Sequence, residues 1–168
     1  MPFTIYDASV PVFVRGLGRL SILLHKAADY SKTEGSDPAT LISARLAPDM
    51  FTLAGQIQAA SDAAKSCIGR LADIERPSFP DTEQSFPELQ ERIAKTIAFI
   101  EQVAPEKIDA GVDRVFTLKL PGTSIDFVGK NYLVQFALPN FFFHVTTAYD
   151  ILRHNGVQIG KTDYLGAF

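Results

Sequence analysis

Residues 139–156 read PNFFFHVTTAYDILRHNG, and this stretch contains the clearest helical pattern in the chain. Pro139 suits the first turn of a helix, where a backbone N–H is not needed, and Gly156 suits its end. Between them, apolar side chains recur every three or four residues on one face: Phe142, Val145, Tyr149 and Leu152. We therefore predict a helix from Pro139 to about Arg153 that buries this face against neighbouring helices.

Three more long helical patterns precede this one, at about residues 6–32, 50–71 and 85–103. Each carries an apolar stripe at helical spacing, and Ser85 with Glu88 has the spacing of a capping box at the start of the third. The polar stretch 76–86 contains two prolines and predicts a long crossover before that helix. Such a crossover favours a bundle in which some helices adjacent in sequence are not neighbours in space.

The segment between the third and fourth long helices changes its periodicity. Branched and aromatic residues flank Pro121-Gly122, which predicts a β-hairpin within 115–128. An isolated hairpin is marginal in water, so it should pack on the bundle. The expected fold class is all-α: a four-helix bundle in one domain, 1–168, with a small β-hairpin between helices 3 and 4. Residues 132–138 fit either a helix or an extended lead-in, and the tail, 157–168, is predicted to be irregular.

Composition argues against several functional classes. The net charge is -3 without a block of like charges, so no nucleic-acid partner is expected. The most apolar stretch, 133–143, is about half as long as a bilayer span, so no membrane association is expected. Cys67 is the only cysteine and lies in a helical pattern, which favours a buried thiol in a reducing, cytoplasmic setting. No secretory signal is predicted, and the common phosphate-loop, dinucleotide and nucleophile-elbow motifs do not occur.

Asn140 and His144 are the strongest candidates for a site. They are four residues apart on the last helix and therefore share a face. With Gln56, Asp62 and Tyr149 they are predicted to border a central pocket for a small molecule, where His144 could hydrogen-bond or transfer a proton. The plainer alternative is a bundle histidine that simply bonds a neighbour. One imidazole and one amide make a poor metal site, so His144 is only a weak metal ligand candidate and no cofactor is expected.

The run Phe141-Phe142-Phe143 carries a separate expectation. Three adjacent residues on a helix point in directions that span most of its circumference, so one ring should face outward unless something covers it. The hairpin or a second subunit could provide that cover. We therefore expect a homodimer through this region or through helix one, and a non-catalytic interaction protein is the alternative to a ligand-binding one.

The last helix resembles that of the DinB/YfiT-like superfamily, whose members are four-helix bundles considered to be metalloenzymes. Their final helix carries His-x-x-x-His before a Leu-Arg…Gly ending, and the ending here is Leu152-Arg153-His154-Asn155-Gly156. Counting back, His144 stands at the second histidine and Asn140 at the first. The third histidine of the superfamily lies in helix two, where this chain has Gln56 or Gln58 in its place. The family's divalent-metal hydrolase or transferase activity is therefore the lowest-ranked function implied.

The likeness is greater to one branch of this superfamily, known as a domain of unknown function. That branch shows RLAPDM before helix two, and PNFFFH, TAY, ILRHNG and GKxDYLG near the end. In this chain the corresponding residues are 45–50, 139–144, 147–149, 151–156 and 160–166. The resemblance covers nearly the whole chain, and it implies the bundle fold without implying a substrate.

Overall fold

The computed structural model describes residues 2–167. Its elements, in chain order, are α1 (Val10–Glu34), α2 (Pro38–Ile42), α3 (Leu53–Ala72), α4 (Phe86–Glu101), α5 (Pro105–Asp109), β1 (Val115–Leu120), β2 (Thr123–Val128), α6 (Gly129–Tyr132), a π-helical turn (Leu133–Ala137), α7 (Leu138–His154) and α8 (Lys161–Leu165).

The four long helices α1, α3, α4 and α7 form the bundle. Helix α3 packs against α4 and α7, and α1 packs against the same two helices, so α1 and α3 lie diagonally across the bundle. The predicted all-α bundle is confirmed, with neighbours that are not sequential. A close approach between α1 and α7 depends on Gly16, since a Cβ there would lie 2.4 Å from Cε1 of Phe141. The Phe141 ring in turn meets Phe13 edge to face, with centroids 4.9 Å apart.

Side-chain caps decide where α3 and α4 begin. The Thr52 side chain accepts a hydrogen bond from the backbone N–H of Gly55. Helix α3 therefore begins at Leu53, three residues later than predicted, because Thr52 itself has extended backbone angles. Ser85 caps α4 by accepting from the N–H of Glu88, as the sequence predicts. Helix α1 ends at Glu34 and is capped by Gly35, whose φ of 62° is left-handed.

The structure settles the conformation of one segment that the sequence left open and corrects that of another. Residues 132–138 are helical, since α6 and the π-helical turn run without interruption into α7. The tail was predicted to be irregular, and this is wrong for residues 161–165, which form α8. A carboxylate oxygen of Asp163 accepts from the N–H of Gly160, and the other lies 2.6 Å from Nζ of Lys26 on α1. These bonds hold the tail against the bundle; Phe168 lies outside the described residues.

The hairpin lies over α6 and the π-helical turn, where its aromatic rings contact Tyr132 and Phe136. Strands β1 and β2 pair antiparallel, from Val115 opposite Val128 to Leu120 opposite Thr123, so the predicted hairpin is confirmed. Phe116 and Phe127 place their ring centroids 5.0 and 5.6 Å from that of Tyr132. This aromatic contact anchors the hairpin on the bundle. Within residues 2–167, no helix combines the length and the apolar character that a membrane span requires.

Candidate functional site

A cavity of about 300 Å³ lies between α3, β1 and the chain from Tyr132 into α7. Its lining residues come from these elements, so it lies at the side of the bundle rather than on its axis. The polar ones are Asp62, Ser66, Arg70, Tyr132, Asn140 and His144. Leu118 and Leu120 of the hairpin and the small side chains of Ala59, Ala63 and Ala137 supply apolar lining. The cavity is open to solvent on one side, and a concave surface with apolar walls and a few polar groups is where a ligand site is expected.

The His144 ring is held in one orientation by Gln56. Nδ1 of His144 lies 2.7 Å from Oε1 of Gln56, and Nε2 of the same amide donates to the carbonyl of Phe51 at 3.3 Å. Because that carbonyl can only accept, the amide oxygen must face the imidazole, and Nδ1 must carry the proton. In the neutral ring, Nε2 therefore keeps its lone pair and can accept a hydrogen bond.

His144 is neutral near pH 7. Its side chain is buried, with 9% of its surface exposed. Burial disfavours the charged form and lowers the pKa of His144 below its usual value. Among the described residues, none forms a hydrogen bond with Nε2, which is thus the ring atom available to a molecule in the cavity.

Two phenylalanines enclose the rest of the His144 ring. Phe51 stacks on it with centroids 6.2 Å apart, and Phe143 meets it edge to face at 5.3 Å. Both rings are exposed, Phe51 by 59% and Phe143 by 55%. Of the three adjacent phenylalanines, Phe141 is buried and Phe142 is partly buried, so Phe143 is the ring that faces outward.

Four of the five predicted pocket residues come together. Asp62, Asn140 and His144 line the cavity, and Gln56 stands behind His144 as its hydrogen-bond partner. Tyr149 lies elsewhere: its ring meets that of Tyr164 on α8, with centroids 5.9 Å apart. The reason is helical geometry, since residues five apart at about 100° per residue point to different sides of a helix.

The carboxylate of Asp62 is already bound by two cations. Its Oδ1 lies 2.9 Å from Nζ of Lys65 and 3.1 Å from a terminal nitrogen of Arg92. Arg92 is almost fully buried and also bonds Asp81 and Glu83 in the crossover loop, each at 2.9 Å. Asp62 is therefore part of the ionic contact that fixes this loop to α3 and α4, rather than a free base.

Glu83 is the most buried carboxylate of this ionic cluster. Burial raises the pKa of Glu83, but hydrogen bonds from Arg92 and Gln58 outweigh it, so its pKa is lower than usual. The negative charge of Glu83 and the buried positive charge of Arg92 thus stabilise each other. Sequence reasoning missed this partnership, because the loop acids have no periodic relation to the helices they contact.

Three polar residues of the cavity were also missed: Ser66, Arg70 and Tyr132. Asp62, Ser66 and Arg70 are spaced by four residues on α3, so this spacing was the available signal that they share a face. Nη1 of Arg70 donates to the hydroxyl of Tyr132 at 3.2 Å. Burial raises the pKa of Tyr132 to about 12, so the phenol stays protonated.

The donors around His144 do not fit the metal that the DinB-like resemblance implies. One imidazole nitrogen is occupied by Gln56, and the lining offers amide and hydroxyl groups and one carboxylate, Asp62, already paired with Lys65 and Arg92, rather than further imidazoles or free carboxylates. Divalent transition metals prefer imidazole and carboxylate ligands. Within residues 2–167, no group of three or more His, Cys, Asp or Glu side chains could hold a metal ion.

The fold and this donor set define a DinB-like helical bundle without the metal-binding histidines. A similar solved structure is that of a DinB family member protein from Shewanella denitrificans, with 35% sequence identity and a TM-score of 0.88 over 98% of this chain and 93% of that one. The chain belongs to the family described as a domain of unknown function, DUF1993, whose model matches residues 5–165. None of the curated proteins matches it. The predicted resemblance is therefore confirmed.

Proposed function

We propose that the protein binds a small molecule in the cavity between α3, α7 and the hairpin. Asn140 and Nε2 of His144 are the hydrogen-bonding groups at one end of that cavity. The observation that carries the proposal is the Gln56–His144 contact at 2.7 Å, which leaves Nε2 as an oriented acceptor beside Asn140. A histidine with only a packing role would need no such oriented second nitrogen at a cavity wall.

The size and the lining of the cavity support the same proposal. Its volume of about 300 Å³ lies at the lower limit for small-molecule sites. The hairpin that lines one side of it is held by Phe116 and Phe127 on Tyr132, so this wall is in place before a ligand arrives. A preformed site loses less conformational entropy when a ligand binds.

A cavity-filling variant tests the proposal. Ala59→Leu adds three carbons to a residue that lines the cavity and keeps a strong helix former in α3. We expect fragments found with the wild-type protein by saturation-transfer NMR to lose their signal with A59L. Asn140→Ala should weaken those that use the amide, since among residues 2–167 its side chain bonds no other and its loss breaks no protein contact.

The matched control is Ala94→Leu, which makes the same change at an exposed position of α4. Fragments should bind A94L as they bind wild type. Equal binding to wild type, A59L and N140A would show that the cavity is not the binding site and would overturn the proposal.

A homodimer is the second candidate function, and the exposed Phe51 and Phe143 rings favour it. Both flank His144, so a second copy placed on them would also cover the cavity mouth. Sedimentation velocity of wild type and Phe143→Ser tests this: a dimer that dissociates in the variant supports it, and a monomeric wild type excludes it. We also propose a cytoplasmic location, supported by the single, buried cysteine.

A further inference from the structure

We propose that the ligand of this cavity is a small organic oxyanion whose negative group is held by Arg70 and Arg76, at the opposite end from Asn140 and His144. The inference rests on the proposed function and adds the chemical class of the ligand. A carboxylate and a phosphate monoester share the required chemistry, because both present planar or tetrahedral oxygens to guanidinium N–H groups.

Arg70 has donors that its protein partners do not use. Nη1 donates to the carbonyl of Ser66 and to the hydroxyl of Tyr132, each at 3.2 Å. Guanidinium carries five N–H groups, so Nε and Nη2 retain three. No carboxylate of the described residues lies within ion-pair distance of Arg70, although Arg70 lines the cavity and is only partly exposed.

Arg76 brings a second guanidinium to the same place. Its Nη1 donates to Oγ of Ser66 at 3.0 Å, so both arginines bond the same residue. Like Arg70, it lacks a carboxylate partner within the part of the chain described. Partial burial and then the positive charge of Arg70 lower the pKa of Arg76. The charges of Tyr132 and Asp62 act in the opposite direction but more weakly, so an oxyanion bound to both guanidinium groups would reduce the repulsion that is left.

The absence of a side chain at Gly69 makes this placement possible. A Cβ at Gly69 would lie 2.2 Å from Cγ and 2.6 Å from Cδ of Arg76. The Arg76 stem therefore lies flat on α3 where a larger residue would lift it away. Arg76 is exposed and does not itself line the cavity, but its guanidinium bonds Ser66, which does.

The rest of the cavity offsets only part of this charge. Asp62 is its lining carboxylate, and that group is neutralised by Lys65 and Arg92. The cationic end and the neutral hydrogen-bonding end of the cavity are eight residues apart. On α3 this is the interval from Asp62 to Arg70, and on the facing chain it is the interval from Tyr132 to Asn140. At 1.5 Å per residue this is roughly 12 Å. The site therefore suits an elongated molecule with one anionic end.

Three matched probes test the assignment: benzoate, phenyl phosphate and the neutral isostere benzamide. Each is titrated into ¹⁵N-labelled protein, following Nε–Hε of Arg70 and the side-chain NH₂ of Asn140. We expect the anions to shift the Arg70 signal and to bind at least about tenfold more tightly than benzamide, as charge-assisted hydrogen bonds require. The tighter of the two anions identifies carboxylate or phosphate as the preferred group.

Variants separate a site from general attraction by charge. Arg70→Gln should abolish the preference for anions, and Arg76→Gln, at an exposed position whose loss should not affect folding, should weaken anion binding several-fold. Arg153→Gln removes the same charge from an exposed position of α7 and should change nothing. Equal affinity for benzamide and the anions, or R70Q and R76Q binding that matches wild type, would overturn the anion site.

The outcome also distinguishes the two proposals. If benzamide binds wild type but not A59L and no anion is preferred, the anion site is wrong while the small-molecule site stands. If none of the three probes binds, the anion site is overturned. The proposed function then depends on the fragment experiment with A59L and A94L.

Discussion

Replacing Gln56 with methionine removes the contact that orients the His144 ring while nearly conserving side-chain volume. Gln56 is 1% exposed, so water cannot take over its role. The substitution leaves Nδ1–H of His144 without its acceptor and removes the 3.3 Å hydrogen bond to the Phe51 carbonyl. A buried donor left without an acceptor costs about 1–3 kcal/mol. Since His144 retains 9% exposure, we expect Gln56→Met to lower the free energy of unfolding by about 2 kcal/mol.

A double-mutant cycle isolates the hydrogen bond from the packing change. Urea unfolding is measured for wild type, Gln56→Met, His144→Phe and the double variant. Once one partner has been replaced, replacing the other breaks no further hydrogen bond. The loss of unfolding free energy in the double variant should therefore be smaller than the sum of the two single losses, by about 1 kcal/mol or more. Gln135→Met, at an exposed position, serves as the control and should change stability by less than about 0.5 kcal/mol. Additive effects would refute the hydrogen bond and with it the oriented Nε2.

Three further outcomes are expected. Burial lowers the pKa of His144, so its neutral form contributes fully to the free energy of unfolding above about pH 6.5, and this contribution falls as the pH drops toward the lowered folded-state pKa. The urea midpoint of the wild type should therefore decrease with pH across this range, and that of H144F should lose this dependence. Gly16→Ala should lower the free energy of unfolding by about 1–3 kcal/mol, since its Cβ would lie 2.4 Å from the Phe141 ring. The control is Gly18→Ala, whose Cβ meets nothing within 4 Å, so it should be neutral or slightly stabilising. Thermal unfolding of the two variants measures the difference. Arg92→Met should lower the free energy of unfolding by about 3 kcal/mol, the low end for a broken buried ion pair. The loss is at the low end because Asp62 and Asp81 are half exposed and can be hydrated again. A loss below about 1 kcal/mol in chemical denaturation would contradict this expectation.

Local signals in the sequence accounted for much of the bundle. Apolar periodicity located the four long helices, and the Ser85 cap and the Pro121-Gly122 turn were both read correctly. These features depend on residues close together in the chain, where helical or strand geometry follows from spacing. The start of α3 was placed three residues early because the apolar pattern includes Met50, while the Thr52 cap decides the boundary. The tail helix α8 was missed because five residues with two flanking glycines show no helical periodicity.

The candidate site was accessible from sequence only in part. The four-residue spacing indicated that Asn140 and His144 share a face, and the DinB-like resemblance pointed to Gln56 or Gln58 as their companion. In the structure the companion is Gln56, which forms a hydrogen bond with His144, whereas Gln58 donates to Glu83. Tyr149 was included wrongly, because its distance from His144 along α7 turns it toward α8.

By itself, the sequence determined that the chain forms four long helices and a hairpin, which faces are apolar and that His144 lacks companion imidazoles. Each of these depends on composition or on short spacings. Only the tertiary structure decided that Gln56 holds His144, that Arg92 binds three loop and helix carboxylates, and that Arg70 and Arg76 meet at Ser66. The physical reason is that these contacts join elements from different parts of the chain, and the packing of helices and the crossover loop sets their geometry rather than any pattern within one element.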